Sequence, residues 1–190
     1  MFFFTISDHV PPAEQLGAIN CVMPLTIRTV QPNDWPSILT IQDECYHALE
    51  PESLAVLQDK VKRSPTSCWV ATSHGEVLGY LLCHPWPHAS PPPLDTPLPS
   101  MTEAEIFYLH DLAIASKARG MGAGMALLDR ALSYATANGF SKAALVAVQN
   151  APAFWQKQGF NETPCPKSLD EYGSGARYMT RRLHNTVNAF

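Results

Sequence analysis

Leu109-His110-Asp111-Leu112-Ala113-Ile114, followed closely by Arg119-Gly120-Met121-Gly122-Ala123-Gly124, is the stretch whose reading decides the fold. Glu105 to Ile114 reads as a long strand. A helix starts at about Gly124, carries Met125, Leu128, Leu132 and Ala135 at near-helical spacing, and stops at Asn138-Gly139, a left-handed cap. Three glycines at alternate positions let the backbone come close to a bound group, and the helix behind them presents unpaired N–H groups and its positive dipole end. That is a cradle for a phosphate or pyrophosphate, and Arg119 adds a fixed forked cation at its mouth. A dinucleotide fingerprint fails, because the third glycine falls on Leu127 or Met125 whichever glycine starts the count. A Walker loop fails because no Gly-Lys-Ser/Thr occurs.

Elements alternate on both sides of this unit. Leu25, Ile27 and Thr29 alternate as a half-buried strand, and Asn33-Asp34-Trp35-Pro36 opens a helix with Ile38, Leu39, Ile41 and Cys45 on one face. Leu54, Val56, Leu57 and Val61 mark a second helix. Trp69 to Thr72 and Val77 to Cys83, joined by Ser73-His74-Gly75-Glu76, form a hairpin signal. A proline-rich stretch follows: seven of the 17 prolines fall between Pro85 and Pro99. Beyond the glycine loop, Ala143 to Val148 is a buried strand, Asn150 caps a short helix with Pro152 in its first turn, and Phe160 and Ala176 to Leu183 supply the last strands.

The length of 190 residues fits one domain with an ample core. Residues 1–22 carry no clear period and are expected to be an appendage, with 23–190 as the domain. The apolar start is too short for a signal peptide or a membrane span. A net charge of −4 with scattered basic residues excludes a general nucleic-acid or anionic-membrane surface. Five spaced cysteines, Cys21, Cys45, Cys68, Cys83 and Cys165, read as reduced thiols of a cytoplasmic protein, neither bridges nor a zinc site. His84 and His88 are four apart, but Pro85 and Pro87 forbid the helix that would put them on one face, so no metal is expected.

The motif from Arg119 to Gly124 resembles the Gln/Arg-x-x-Gly-x-Gly/Ala loop of the GCN5-related N-acetyltransferases (GNAT). Leu109 to Ile114 is similar to the fourth strand of that family, and Val148 to Phe160, with Asn150, Phe154, Trp155 and a terminal Gly159-Phe160, is similar to its second motif. The resemblance implies an α/β (α+β) fold: a mixed, mostly antiparallel sheet of about seven strands, splayed between the fourth and fifth, with flanking helices. It implies acetyl-coenzyme A as cofactor, its pantetheine arm on the backbone of Leu112, Ala113 and Ile114. N–H groups from Gly120, Met121, Gly122, Ala123, Gly124 and Met125, with Arg119, would hold its pyrophosphate. Asn150, Phe154 and Trp155 join this set.

Acetyl transfer to an amine needs an uncharged amine, oxyanion stabilisation and a proton for the departing thiolate. With a period of two, Tyr108, His110 and Leu112 share a face and Asp111 points the other way. Tyr108 and His110 then stand about 7 Å apart, room for a bridging water. The segment also resembles the arylalkylamine acetyltransferases, which carry His-x-His on this strand, with Tyr108 at the first histidine's place. His110 is the principal base candidate. Many relatives use a tyrosine in the second motif for the thiolate, where this chain has Trp155, so the acid is another group or water; Tyr172 and Tyr178, near the C-terminal strand, could reach the gap, and Tyr178 is taken as the third catalytic candidate beside His110 and Tyr108. The resemblance places the acceptor between the first two helices and the proline-rich loop. Glu44, Tyr46 and Trp86 are the candidates there, with Glu52 among further acids and His84 in an aromatic wall.

The resulting expectation is an acetyl-coenzyme A dependent N-acetyltransferase acting on a small primary amine, as a monomer or homodimer. A non-catalytic acyl-coenzyme A sensor or scaffold, and a peptide or protein N-acetyltransferase, are the alternatives.

Overall fold

A computed structural model describes residues 24–46, 51–100, 104–148 and 151–183. The elements run β1 (Thr26–Thr29), α1 (Trp35–Cys45), α2 (Leu54–Arg63), β2 (Cys68–Ser73), β3 (Glu76–Trp86), β4 (Ile106–Ile114), α3 (Ala123–Ala137), β5 (Lys142–Ala147), α4 (Pro152–Lys157), β6 (Asn161–Glu162) and β7 (Arg177–Arg182). One seven-stranded sheet has the order β1-β2-β3-β4-β5-β7-β6. Every pairing is antiparallel except β4 with β5, where α3 makes the crossover. Tyr134 of α3 packs on Trp69 and Phe107 on one face, while α2 sends Lys60 toward the opposite face, where Tyr108 and His110 point. The proposed appendage, residues 1–22, lies outside the described residues.

The β2–β3 hairpin turns on His74 and Gly75, at φ 50° and 82°, as a two-residue turn with left-handed backbone requires. Here β3 departs from the sequence reading. It does not stop at Cys83 but runs through Pro85 to Trp86, with His84 opposite Tyr108 and Pro85 opposite Phe107. Proline is tolerated because β2 has ended at that level: its Cys68 is paired with Leu82, and the Cys83 N–H already reaches past it to the Ser67 carbonyl. The missing donor of Pro85 therefore faces no partner strand among the described residues.

The second departure is a bulge. Leu82 pairs with Asp111 but Cys83 pairs with Leu109, so His110 is an extra residue in β4. The insertion breaks the expected alternation. Asp111 lies on the same face as Tyr80 and His84, hence as His110, and Leu112, paired with Leu81, turns to the other face. Near the strand's end Gly79 lets β3 and β4 approach closely, since a Cβ there would stand 2.9 Å from the Ala113 carbonyl oxygen.

The parallel pairing is short. Ile106, Phe107 and Tyr108 pair with Lys142, Ala143 and Ala144, and beyond them the two strands have no further pairing, although β5 continues along β7 to Ala147. The sheet is thus splayed between its fourth and fifth strands, and the backbone from Leu109 to Ile114 turns its β5-side edge to the opening.

Candidate active site

The glycine loop sits at the far end of β4. Gly120 and Gly122 adopt φ of 78° and 81°, with open space where a Cβ would stand, so backbone conformation rather than crowding demands glycine at both. Gly122 is the N-cap of α3, and the first N–H to bond back into the helix is that of Ala126, onto the Gly122 carbonyl. The N–H groups of Ala123, Gly124 and Met125 precede it and emerge from the helix start. Arg119, Gly120 and Gly122 are exposed, while Ala123 and Gly124 are buried. These helix-start N–H groups beside an unpaired β4 edge fit an extended ligand with amide groups at one end and a pyrophosphate at the other. Leu112, Ala113 and Ile114 belong to the part of β4 beyond its pairing with β5. Phe154 and Trp155 are buried in α4, their rings edge to face at 5.0 Å, with Phe160 5.3 Å from Trp155. Asn150 lies outside the described residues.

Beyond the point where β5 leaves β4, a buried polar cluster occupies the α2 face. His110 is 2% exposed, and its Nε2 lies 2.8 Å from Glu52 Oε2. The other Glu52 oxygen accepts from Lys60 Nζ at 3.1 Å and from the Asp95 N–H at 2.9 Å. His84, 1% exposed, brings Nε2 to 3.4 Å from His110 Nδ1 and holds Nδ1 2.9 Å from the Pro85 carbonyl. The Tyr108 ring completes the group, 5.5 Å from the His84 ring and 5.8 Å from that of His110. Burial pushes the His110 imidazole down to about 4, against the pull of Glu52, and burial together with His110 pushes His84 well down. Burial opposes ionisation of Glu52 as well, but His110 and Lys60 together hold its carboxyl well below the usual carboxylate range.

Acid therefore destabilises the fold in two overlapping windows. Unfolded histidine takes up a proton near pH 6.5 and folded His110 only near 4, so the stability that His110 confers above about 6.5 is lost as pH falls towards about 4. Glu52, depressed, adds a loss in the same direction at lower pH. Calorimetric melting from pH 7 to pH 4 is expected to show a steadily falling Tm, and His110→Gln to flatten the upper part of that fall.

Asp111 forms a second buried centre. Its carboxylate accepts the hydroxyl of Tyr46 through a short hydrogen bond and that of Tyr80 at 2.8 Å. Burial raises its pKa, and the two hydroxyls oppose that rise. This centre anchors α1 to β3 and β4.

The proline-rich loop is fastened over the cluster. Asp95 Oδ1 accepts from the N–H and hydroxyl of Ser53, Asp59 accepts the Leu98 N–H at 3.1 Å, and the Tyr172 hydroxyl donates to the Pro92 carbonyl at 2.7 Å. Tyr108 faces Tyr172 and Tyr178, which after burial are the largest influences pushing its pKa well up. Tyr178, on β7 opposite Val146, is 2% exposed, and its hydroxyl has no hydrogen-bond partner among the described residues. It borders a cavity of about 370 Å³ edged by Cys165, Leu169, Ala176 and Arg177. Burial raises its pKa to about 12.

The acceptor candidates are found with other partners. Glu44 accepts the Ser116 N–H at 2.9 Å, Tyr46 is held by Asp111, and Trp86 donates to the Ser90 carbonyl at 2.7 Å while its ring stacks edge-on against His84. Glu52 and His84, which hold the two nitrogens of His110, lie outside the catalytic set that the sequence suggests. Cys45, Cys68, Cys83 and Cys165 are free thiols; burial raises the first three, to about 12 in Cys68, and leaves them poor nucleophiles. Among the described residues no group of three His, Cys, Asp or Glu side chains could hold a metal, and no helix is long and apolar enough to cross a membrane.

The comparisons agree with this geometry. Ard1 from Thermoplasma volcanium superposes with a TM-score of 0.67 at 23% identity, over 84% of this chain and 98% of that one. The ribosomal-protein-S18-alanine N-acetyltransferase from Escherichia coli gives 0.62 at 17% identity, over 88% and 100%. N-acetylglutamate synthase from Neisseria gonorrhoeae, complexed with coenzyme A and N-acetyl-glutamate, gives 0.65 at 18%, over 84% of this chain and 35% of that one. No curated protein sequence gives a significant match. The family model for the acetyltransferase (GNAT) family matches residues 35–160, from the start of α1 through the splayed strands and glycine loop to Phe160, and the chain belongs to that family of enzymes.

Proposed function

We propose that the protein transfers the acetyl group of acetyl-coenzyme A, by direct attack, onto the amine of a small molecule. The observation that carries this reading is the position of His110: a buried imidazole, backed by the Glu52 carboxylate, on β4 just past the last residue paired with β5. Acetyl-coenzyme A supplies the acyl group as a thioester when bound. The residues for it are the β4 edge from Leu112 to Ile114, the N–H groups of Gly120 and of Gly122 to Met125, Arg119 at the mouth, and Phe154 and Trp155 on α4; the Met121 N–H, counted with them from the sequence, is instead taken by the Ala118 carbonyl at 3.2 Å.

In this reading the chain supplies a base, a donor for the oxyanion and a proton source. His110 takes the proton of the substrate ammonium, its Nε2–H holding Glu52 so that positive charge on the ring is balanced as it forms. A backbone N–H at Leu112 stabilises the oxyanion. Tyr178 protonates the thiolate: a phenol whose pKa is raised to about 12 stays protonated at neutral pH, and its hydroxyl is buried with no partner among the described residues, ready for one that a ligand provides. Tyr178→Phe is accordingly expected to act in opposite senses. It removes an unsatisfied buried hydroxyl, which raises stability by up to about 1 kcal/mol, and it lowers kcat by roughly 10²-fold with coenzyme A affinity unchanged. Thermal melting and steady-state kinetics on one preparation measure both.

A small acceptor is favoured by the enclosure of the base. His84, Tyr108, Trp86 and His110 are each at most 4% exposed, under a proline-rich loop pinned to α2 and to Tyr172. A thiol-release screen over arylalkylamines, polyamines, amino acids and peptides tests this. Turnover on small amines with peptides inert supports it, whereas turnover on peptide N-termini or lysines alone makes the protein a peptide N-acetyltransferase.

A further inference from the structure

Two imidazoles in contact have to divide their protons, and the contacts around His84 and His110 fix how. The Pro85 carbonyl can only accept, so His84 carries its hydrogen on Nδ1. Glu52 accepts from Lys60 and the Asp95 N–H on its other oxygen and is ionised, so His110 carries its hydrogen on Nε2. With both rings neutral, the nitrogens left to face each other, His84 Nε2 and His110 Nδ1 at 3.4 Å, both bear lone pairs. One added proton turns this repulsive contact into an N–H···N hydrogen bond; a second restores repulsion between two cations.

From this geometry we propose that His84 and His110 form a single proton-holding unit, taking up one proton between His84 Nε2 and His110 Nδ1, and that this unit, rather than His110 alone, is the base of the reaction. The proposal rests on the acetyl-transfer reading for its catalytic half only. In the step, one N–H bond of the substrate ammonium breaks, leaving a neutral amine, and a new N–H bond forms on the pair, which goes from neutral to singly charged. After attack, the amine nitrogen loses its second proton and the thiolate gains one. The net release is one proton per turnover, the one held by the pair.

The surroundings suit a single charge. Glu52 lies at one end of the chain of contacts and the Pro85 carbonyl at the other, and both favour the charged pair. Lys60, which reaches Glu52 from α2 and disfavours positive charge on either ring, limits the uptake to one proton. Tyr108 covers both rings from β4, with Tyr172 beyond it, and Trp86 closes the β3 side with His88 against its outer face. The carboxylate of Asp111 is engaged by two tyrosines. His84 meets His110 through Nε2 and the Trp86 ring edge-on, so it acts as a positioning and proton-sharing residue through His110.

Nitrogen-15 NMR of histidine-labelled wild-type protein tests the unit without any substrate. Expected is a joint transition, the His84 and His110 nitrogens moving at one common pH with an uptake of one proton for the two rings. Two independent transitions, or uptake of two protons with the fold intact, would overturn the proposal whatever the protein's activity. Kinetics test the catalytic half. Without its acceptor, protonated His110 is less stable, so His84→Phe is expected to move the ascending limb of kcat/KM about one pH unit lower, a tenfold change in proton affinity. It also lowers kcat about tenfold, as a weaker base must. His84→Gln, whose side-chain carbonyl can accept from His110 Nδ1–H, is expected to restore most of the limb. An unmoved limb in both variants, with kcat intact, overturns the shared base. Joint titration with no turnover on any amine or peptide rejects the acetyl-transfer reading and leaves the proton-sharing pair standing.

Discussion

Replacing His110 by Gln is expected to lower kcat by roughly 10²- to 10⁴-fold while coenzyme A binds as before. Glutamine keeps an N–H for the Glu52 carboxylate, which otherwise accepts His110 Nε2 at 2.8 Å, so the buried acid is not orphaned. It has no basic nitrogen, so the substrate ammonium has no proton acceptor at this position. The cofactor cradle is built from other residues, the β4 edge and the N–H groups around Gly122, and has no reason to change. Steady-state kinetics with calorimetric titration of coenzyme A separate the two quantities. Equal loss of turnover and binding, or loss of neither, removes His110 from the chemistry.

The second large effect is on stability. Lys60 and Glu52 form an ion pair at 3.1 Å with side chains 1% and 7% exposed. Lys60→Met retains the length of the chain and removes the charge, leaving a buried carboxylate with one fewer donor. Breaking a buried pair in this way costs about 3–5 kcal/mol, a fall in Tm of about 10 °C for a domain of this size. The double variant Lys60→Met, Glu52→Gln buries no unpaired charge and is expected to recover a substantial part of the loss, which a double-mutant cycle by thermal melting reads directly. Lys60 also opposes positive charge on His110, so the single variant should titrate His110 at higher pH than the wild type does.

Which features could be read from sequence follows from how local their causes are. The cradle was legible because its requirement is written at each position: left-handed backbone at Gly120 and Gly122 calls for glycine, and the helix behind it shows its period. The splay followed from resemblance, and the three-residue pairing of β4 with β5 matches it. The true end of β3 was hidden, because Pro85 reads as a breaker unless one knows that β2 has already ended beside it. The bulge left no mark, since one extra residue in β4 changes no composition, yet it turns Asp111 to the His110 side and Leu112 away. Nothing local sets Glu52 apart from the other acids of its region, because its partner is 58 positions away. His84 stands next to the first proline of the loop, and becomes the neighbour of His110 only through the register that sets it opposite Tyr108. The proline excess has a clear role: the loop it shapes is fastened to Ser53, Asp59 and Tyr172 and roofs the histidines.

The most direct test of the account is the release of coenzyme A thiol by the purified protein supplied with acetyl-coenzyme A, with and without a small primary amine. Direct attack predicts release that depends on the amine, with initial-velocity lines that intersect as the two substrates are varied. Tight binding of coenzyme A with no thiol release on any amine or peptide, or release in a burst that needs no amine, would contradict it.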